Sequence, residues 1–297
     1  MRTAPTTNTV IGIDLGATNI RGAVITTDVP PDIVSTPIHS DGSMEDVLED
    51  IYHVIDTLLA SASAANAPGG APEVSAIGIG VPSVVDVAQG IVYDVQYIPS
   101  WKEVPLKSLL EARYKKPVFV NNDANCFALG EYYFGKGRGA SSMVGLTIGT
   151  GLGGGIIIHN KLFEGYNCGA GEFGCLPYED NILEYYCSGS FFKNVYKLNG
   201  TAVYAAARIG DEGALRLYSE LGTHVGNAIK SVLYTYDPEL IVLGGSVSQA
   251  YDLFEDTMWD AVKTLVYGKT AERIRIETSD LENSGILGAA ALYYNAQ

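Results

Sequence analysis

Residues 10–25 read VIGIDLGATNIRGAVI. Two β-rich runs, Val10–Asp14 and Arg21–Ile25, flank the tight turn GATN, which is the signature of a hairpin. The device returns at residues 147–158, TIGTGLGGGIII. There Met143–Ile148 and Ile156–His159 flank a second glycine-rich turn. Between and beyond the two hairpins, helical and strand patterns alternate. Met44, Val47, Leu48, Ile51, Ile55 and Leu58 recur at helical spacing, with Ser43 as the N-cap. SASAANAPGGAPE at 61–73 reads as a polar surface loop. Val74–Gly80 is an apolar strand stopped by Pro82. Pro105 opens a helix that runs to Tyr114, and Val118–Val120 is a strand. NNDANCFALGEYY, 121–133, is a loop feeding a helix. A long helix fits Leu215–Tyr236, with Leu221, Val225, Ile229 and Val232 on one face. The strand Leu240–Leu243, a helix over 248–266, the strand Ile274–Glu277 and a last helix Gly285–Tyr294 complete the pattern. Such alternation is α/β architecture. The repeated hairpin predicts an internal structural duplication. The expected division is a smaller domain over 1–120, rejoined by the C-terminal helix 285–297, and a larger one over 121–284.

The 297 residues fit two domains, and 47% apolar residues are ample for their cores. The net charge of −15 repels nucleic acid and anionic lipid. It repels nucleotides at long range as well, so any phosphate site has to rely on local backbone N–H groups and a divalent cation. The cysteines, Cys126, Cys168, Cys175 and Cys187, form no CxxC pair and read as reduced thiols. The opening residues lack the apolar core of a signal peptide. No apolar run approaches the roughly 18 residues of a membrane span. The expectation is a soluble, cytoplasmic chain with no nucleic-acid or membrane partner.

Chemistry collects at a few places. DLGATN (14–19) and TIGTGLGGG (147–155) put small residues at hairpin tips, where backbone N–H groups can approach phosphate oxygens. Thr18, Asn19 and Thr150 add side-chain donors. Asp14 stands just before the first tip, where a carboxylate can hold Mg²⁺ through water. Each turn alone reads as an ordinary hairpin; the matched pair favours phosphate. Gly149–Gly154 satisfies GxGxxG, but the strand Ile156–Ile158 follows it where a dinucleotide fold needs a helix. No Walker A pattern is present. In NNDAN (121–125), Asp123 follows a strand and opens a helix. It is placed to take a hydroxyl proton in phosphoryl transfer, and equally to be the N-cap of that helix; spacing leaves both open. In residues 169–189, Glu172 lies in a glycine-lined turn where a carboxylate can chelate two adjacent sugar hydroxyls, and Glu184 precedes an aromatic pair. Taken alone, both read as surface acids. LGGSVS (243–248) leaves a flat ligand room at Gly244 and Gly245, or is a plain strand–helix turn. His39, His53, His159 and His224 show no metal spacing, and His224 reads as helix packing.

Together, IGIDLGATNIRGAVI, GIGVPSVVD (78–86), VPLKSLLEARYKKPVFVNNDANCFALGE (104–131), TIGTGLGGGIII, GAGEFG (169–174) and LGGSVS resemble the ROK family of bacterial sugar kinases and repressors, within the actin-like ATPase superfamily. The segments follow the family's order over nearly the whole chain. The resemblance implies two actin-like, ribonuclease H-like lobes with a ligand cleft between them, usually in homodimers. It implies Asp123 as the general base and Asn122, Asp123, Glu172 and Glu184 as sugar ligands, with Ser83 nearby. Asp14, Gly16, Thr18, Asn19, Thr150 and Gly151 would face the phosphates and Mg²⁺. Gly244, Gly245 and Ser246 would flank the adenosine.

One departure stands out. Many family members follow the GExG turn with a histidine and a cysteine loop that binds structural zinc. Here Cys175 stands after Glu172-Phe173-Gly174 and the loop is missing, so the expectation is ATP and Mg²⁺ without zinc. The lost histidine often contacts the sugar near its anomeric end, which puts Cys175 among the substrate-side residues. The implied reaction is transfer of the γ-phosphate of ATP to the 6-hydroxyl of a hexose, with glucose expected first. N-acetylmannosamine or N-acetylglucosamine is the alternative acceptor, and a non-catalytic sugar-sensing protein the alternative of another class. A repressor would carry a DNA-binding segment ahead of the first phosphate motif, which here begins at residue 11.

Overall fold

The computed structural model describes residues 8–26, 32–64 and 73–297. The chain divides into two compact units. The first takes the residues up to Gly139, Lys161–Ala170 and Leu281–Gln297. Its sheet runs in the order Val34–Pro37, Asn19–Ile25, Thr9–Leu15, Val74–Val81, Val118–Asn122. The first three strands are antiparallel and the last two join in parallel. Buried parallel strands tend to be apolar throughout, and Val74–Val81 is buried at all but one position. One face of the sheet packs Ile11, Ile13, Ile77 and Ile79 into a core shared with the helix Met44–Ala64, through Val47, Ile51, Val54, Ile55 and Leu58. That helix opens on a reciprocal cap. The Ser43 hydroxyl accepts the Asp46 N–H at 3.2 Å, and the Asp46 carboxylate accepts the Ser43 N–H at 2.8 Å. The helix reaches Ala64, so the expected loop at 61–73 begins four residues too early. Alanine and serine carry little cost in a last helical turn. Residues 65–72 of that stretch lie outside the described residues.

The other side of the sheet meets the C-terminal helix, Ser284–Asn295, with backbone against backbone. A Cβ on Gly78 would sit 1.8 Å from the carbonyl oxygen of Ala289, and one on Gly288 1.6 Å from that of Cys126. Glycine is required at both positions for the helix to come so close.

The second unit takes Ala140–Asn160 and Gly171–Asp280. Its strands run Leu152–Ile158, Ser142–Ile148, Leu240–Gly244, Arg275–Thr278, antiparallel in the hairpin and parallel after it. The order hairpin strand, hairpin strand, parallel strand, parallel strand therefore occurs once in each unit. The long helix spans Glu212–Tyr236 and starts ahead of the expected Leu215, because Asp211 caps it by accepting the Ala214 N–H at 2.8 Å. It buries Leu221, Val225, Ile229 and Val232.

The helix expected over 248–266 is two pieces, a 3₁₀ segment Val247–Leu253 and an α-helix Glu255–Val262. The break is at Phe254, at φ −134° and ψ −5°, whose ring is buried and whose carbonyl oxygen would lie 2.4 Å from a Cβ on Gly222. Packing against the long helix overrides the local helical pattern. The helices Leu183–Cys187, Phe191–Tyr196, Gly200–Arg208 and Gly268–Arg273 are additions to the expected pattern; all but Gly200–Arg208 have only five or six residues, too few to display a period. No helix among the described residues is long and apolar enough to cross a membrane.

Candidate functional site

In the first unit, the strand Val118–Asn122 hands over directly to the helix Asp123–Phe134. The cap is Asn122, not Asp123. Asn122 is extended, and its Oδ1 accepts the N–H groups of Ala124 at 2.9 Å and Asn125 at 3.4 Å. Its Nδ2 donates to the Ser83 carbonyl at 3.3 Å. Asp123 thus becomes the first helical residue, exposed at the end of a parallel strand, with Oδ1 accepting the Ala124 N–H at 2.8 Å. The helix N-terminus favours a carboxylate there.

Beneath this turn lies a buried knot that no local pattern in the sequence announces. Asn121 is fully buried. Its Oδ1 accepts from the Asn122 N–H at 2.8 Å, the Asn125 amide at 2.9 Å and the Cys168 thiol at 3.3 Å. Its Nδ2 donates to Glu164 at 2.6 Å. Burial raises the Glu164 carboxyl above its usual range, against the opposing pull of the Asn121 bond. The Ser83 hydroxyl donates to the Tyr93 carbonyl.

The first hairpin tip is closed by the Gly16 N–H donating to the Asn19 carbonyl at 3.0 Å. Thr18 and Asn19 are exposed, and the Asn19 amide donates to the Thr18 hydroxyl at 3.0 Å. Asp14 faces Arg21 across the hairpin. Burial raises its carboxyl, and the Arg21 charge pulls it back down. A Cβ on Gly285 would lie 3.2 Å from the Asp14 carboxyl carbon, so the first turn of the C-terminal helix borders this carboxylate. One acidic oxygen pair beside a glycine turn is a donor set suited to Mg²⁺, which is commonly held by one or two carboxylates together with water and phosphate oxygens.

In the second unit, the second tip is tied from several sides. The Gly189 N–H donates to the Gly149 carbonyl at 2.7 Å and the Ser190 hydroxyl to that of Thr150 at 2.7 Å. Glu184 accepts the Leu152 N–H at 3.0 Å. A Cβ on Gly151 would sit 2.5 Å from the same carboxylate. Glu172 and Glu184, two surface acids on sequence alone, are neighbours. Burial first, and then the Glu184 charge, raise the Glu172 carboxyl. Cys175 joins them, its sulfur 4.0 Å from Glu172 Oε2, and its thiol is raised by desolvation and then by both carboxylates.

The Glu172 shift has a thermodynamic signature. A carboxyl raised by folding favours the native state at pH below its ordinary 4.5, and that contribution is lost as pH rises through the folded value. Glu172→Gln removes the penalty of a partly desolvated charge beside Glu184. The variant should melt above the parent at pH 8, with the difference vanishing below pH 4.5, in melting curves recorded across that range.

Between the two acids the chain makes a small hairpin, Pro177–Tyr178 with Asn181–Ile182. The Tyr178 hydroxyl meets His224 Nδ1 at 3.0 Å and accepts from the Asn227 amide at 2.9 Å. Burial lowers the His224 pKa, against the Glu220 charge, and the ring packs among Tyr178, Tyr186 and Phe191. All four cysteines are free, and the described residues hold no group of three or more His, Cys, Asp or Glu able to bind a metal ion.

A cavity of about 660 Å³ opens beside the second tip, within the second unit. Thr150 and Ser246 line it. Gly244 and Gly245 do not. Gly245 is at φ +86°, and a Cβ there would lie 2.5 Å from the Ile148 carbonyl oxygen. Its missing side chain leaves room for the Ile148 carbonyl. Part of the lining comes from a stretch that sequence reasoning missed, including Lys193, Lys197, Tyr204 and the start of the helix Gly200–Arg208, capped by Asn199. The lining carries two lysines and no carboxylate. In a chain of net charge −15, that is a local reversal of sign. Its size and its donors fit an adenine nucleotide.

The family model described as ROK family matches residues 10–296. A glucokinase of Thermotoga maritima is 30% identical, over 95% of this chain and 96% of that protein. A xylose repressor of Bacillus subtilis is 27% identical, over 95% of this chain and 76% of the repressor. Among solved structures, a ROK family glucokinase from Streptomyces griseus, in complex with glucose and AMPPNP, superposes with a TM-score of 0.77 at 27% identity, covering 96% of this chain and 99% of that one.

Proposed function

Because this chain belongs to the ROK family, we propose that it is an ATP-dependent sugar kinase that phosphorylates the 6-hydroxyl of a hexose, glucose first among them. The observation that carries the reading is Asp123. Asn122 takes over the cap, which leaves an exposed carboxylate fixed at the end of a strand and the start of a helix. In the proposed reaction Asp123 accepts the hydroxyl proton as the sugar oxygen bonds to the γ-phosphorus and the bond to the β-phosphate oxygen breaks, releasing ADP. Asn122 holds the turn through the Ser83 carbonyl and, with Glu172 and Glu184, takes up sugar hydroxyls. The backbone N–H groups of both glycine turns, with Thr18, Asn19 and Thr150, bear on the phosphates. Mg²⁺, held from Asp14, would neutralise phosphate charge.

The cation-lined cavity supports the nucleotide half of the reading and makes a prediction of its own. Removing both charges, Lys193→Ala with Lys197→Ala, should raise KM for ATP roughly three- to tenfold. It should also flatten the dependence of KM on ionic strength. Initial rates at two salt concentrations test this.

The direct test is ADP release with Mg-ATP across glucose, mannose, fructose, N-acetylglucosamine and N-acetylmannosamine. Sugar-dependent turnover supports the kinase and ranks its acceptors. Its absence with every sugar favours the second reading, a sugar-responsive regulator, which the likeness to the xylose repressor supports.

A further inference from the structure

The first unit holds a cavity of its own, of about 860 Å³, that none of the roles above uses. Its lining comes from two segments, residues 84–88 with Tyr93, and 164–168. Both segments start at the base-bearing turn. Val84 follows Ser83, whose carbonyl takes the Asn122 amide, and Glu164 takes the Asn121 amide. Cys168, which also lines it, donates to Asn121, so the cavity's two segments are tied to the strand end at Asn121 and Asn122.

Its chemistry is the reverse of the cavity in the second unit. It carries the carboxylates of Asp86 and Glu164, the rings of Tyr93 and Tyr166, and no lysine, arginine or histidine. Such a lining repels phosphate and suits a neutral polyhydroxylated ligand. Carboxylates accept hydroxyl protons in charge-assisted bonds, and tyrosine rings offer an apolar body with a polar tip. Glu164 is fixed by the bond to buried Asn121, so its carboxylate presents a set position. Tyr166 is fully exposed and without apolar cover. Pockets for whole ligands run roughly 300–1,000 Å³, so this one alone has room for a sugar ring beyond the one being phosphorylated.

We propose that this cavity is a subsite for a second sugar ring, and that the acceptors of this enzyme include carbohydrates larger than a monosaccharide. The proposal rests on the kinase reading and names its substrate class. The test compares kcat/KM for glucose with that for maltose, cellobiose and sucrose, using the full chain and Mg-ATP. At least one disaccharide should match or exceed glucose. Tyr166→Ala should then lower the disaccharide-to-glucose ratio of kcat/KM by about tenfold, the scale of one lost aromatic contact, and Glu164→Gln should lower it too. Tyr166 is exposed, so its replacement leaves the core intact, and a melting curve checks each variant. If hexoses are phosphorylated while no disaccharide is turned over or competes with glucose, the subsite is overturned and the kinase stands. An unchanged ratio in both variants overturns it as well. If no sugar of either size supports turnover, the kinase reading fails and the subsite falls with it.

Discussion

Asp123→Asn should lower kcat by roughly 10²–10⁴-fold, the range for loss of a general base, and change sugar affinity far less. The cap belongs to Asn122, and the Asp123 Oδ1 accepts the adjacent Ala124 N–H. The Asn side-chain oxygen can keep that bond, so the helix start survives while the proton acceptor is lost. The reading needs the loss to appear in single-turnover rates as well as in the steady state, with binding of glucose measured by calorimetry within a few-fold of the parent. A variant that turns over at parental rates would remove Asp123 from the chemistry. Asn122→Ala is the informative contrast. It strips the cap and the Ser83 tie together, and loss of a cap costs about 1 kcal/mol of stability. Its defect should therefore appear in melting as well as in rate.

The second large effect is on stability. Gly78→Ala should lower the melting temperature by roughly 6–12 °C. The figure takes about 3 kcal/mol for overpacking and roughly 2–4 °C for each kcal/mol in a domain of this size. The added methyl would meet the Ala289 carbonyl oxygen at 1.8 Å. That oxygen belongs to a helix backbone and has no rotamer by which to move aside. Gly288→Ala should behave alike, since its methyl would fall 1.6 Å from the Cys126 carbonyl oxygen. Gly268→Ala is the control. It opens a helix with nothing within 4 Å of the added carbon, and it should change stability by no more than about 0.5 kcal/mol. Thermal melts of the three variants decide the matter; a Gly78→Ala protein that melts with the parent would mean the helix does not lie so close.

The residues legible in the sequence are those whose signal is local. Both hairpins, the strands after them and the long helix declare themselves through apolar periodicity and turn composition. NNDAN announces a carboxylate at a strand end, although not which residue caps. What sequence cannot supply are meetings between distant segments. Glu164 sits 43 positions from Asn121, to which it is bonded, and nothing around it in the sequence marks it. Glu172 and Glu184 read as surface acids because their mutual approach depends on a hairpin of a few residues. Lys193 lies on a helix of six residues and Lys197 caps its end, too short a stretch for any pattern. Gly245 shows the same limit, since the Ile148 carbonyl that a Cβ there would meet lies far away in sequence.

The docking of the last helix onto the first sheet also bears on biosynthesis. A ribosome completes the strands Thr9–Leu15 and Val74–Val81 early, whereas the helix that covers them, Ser284–Asn295, emerges after every other element described above. Domains tend to fold as they leave the ribosome, yet the glycine-bearing side of this sheet stays uncovered through most of translation. The second unit, drawn from Ala140–Asn160 and Gly171–Asp280, is fully synthesised before the first can close. The nascent chain thus inverts the usual order of maturation, and the first unit to be translated is the last to be finished.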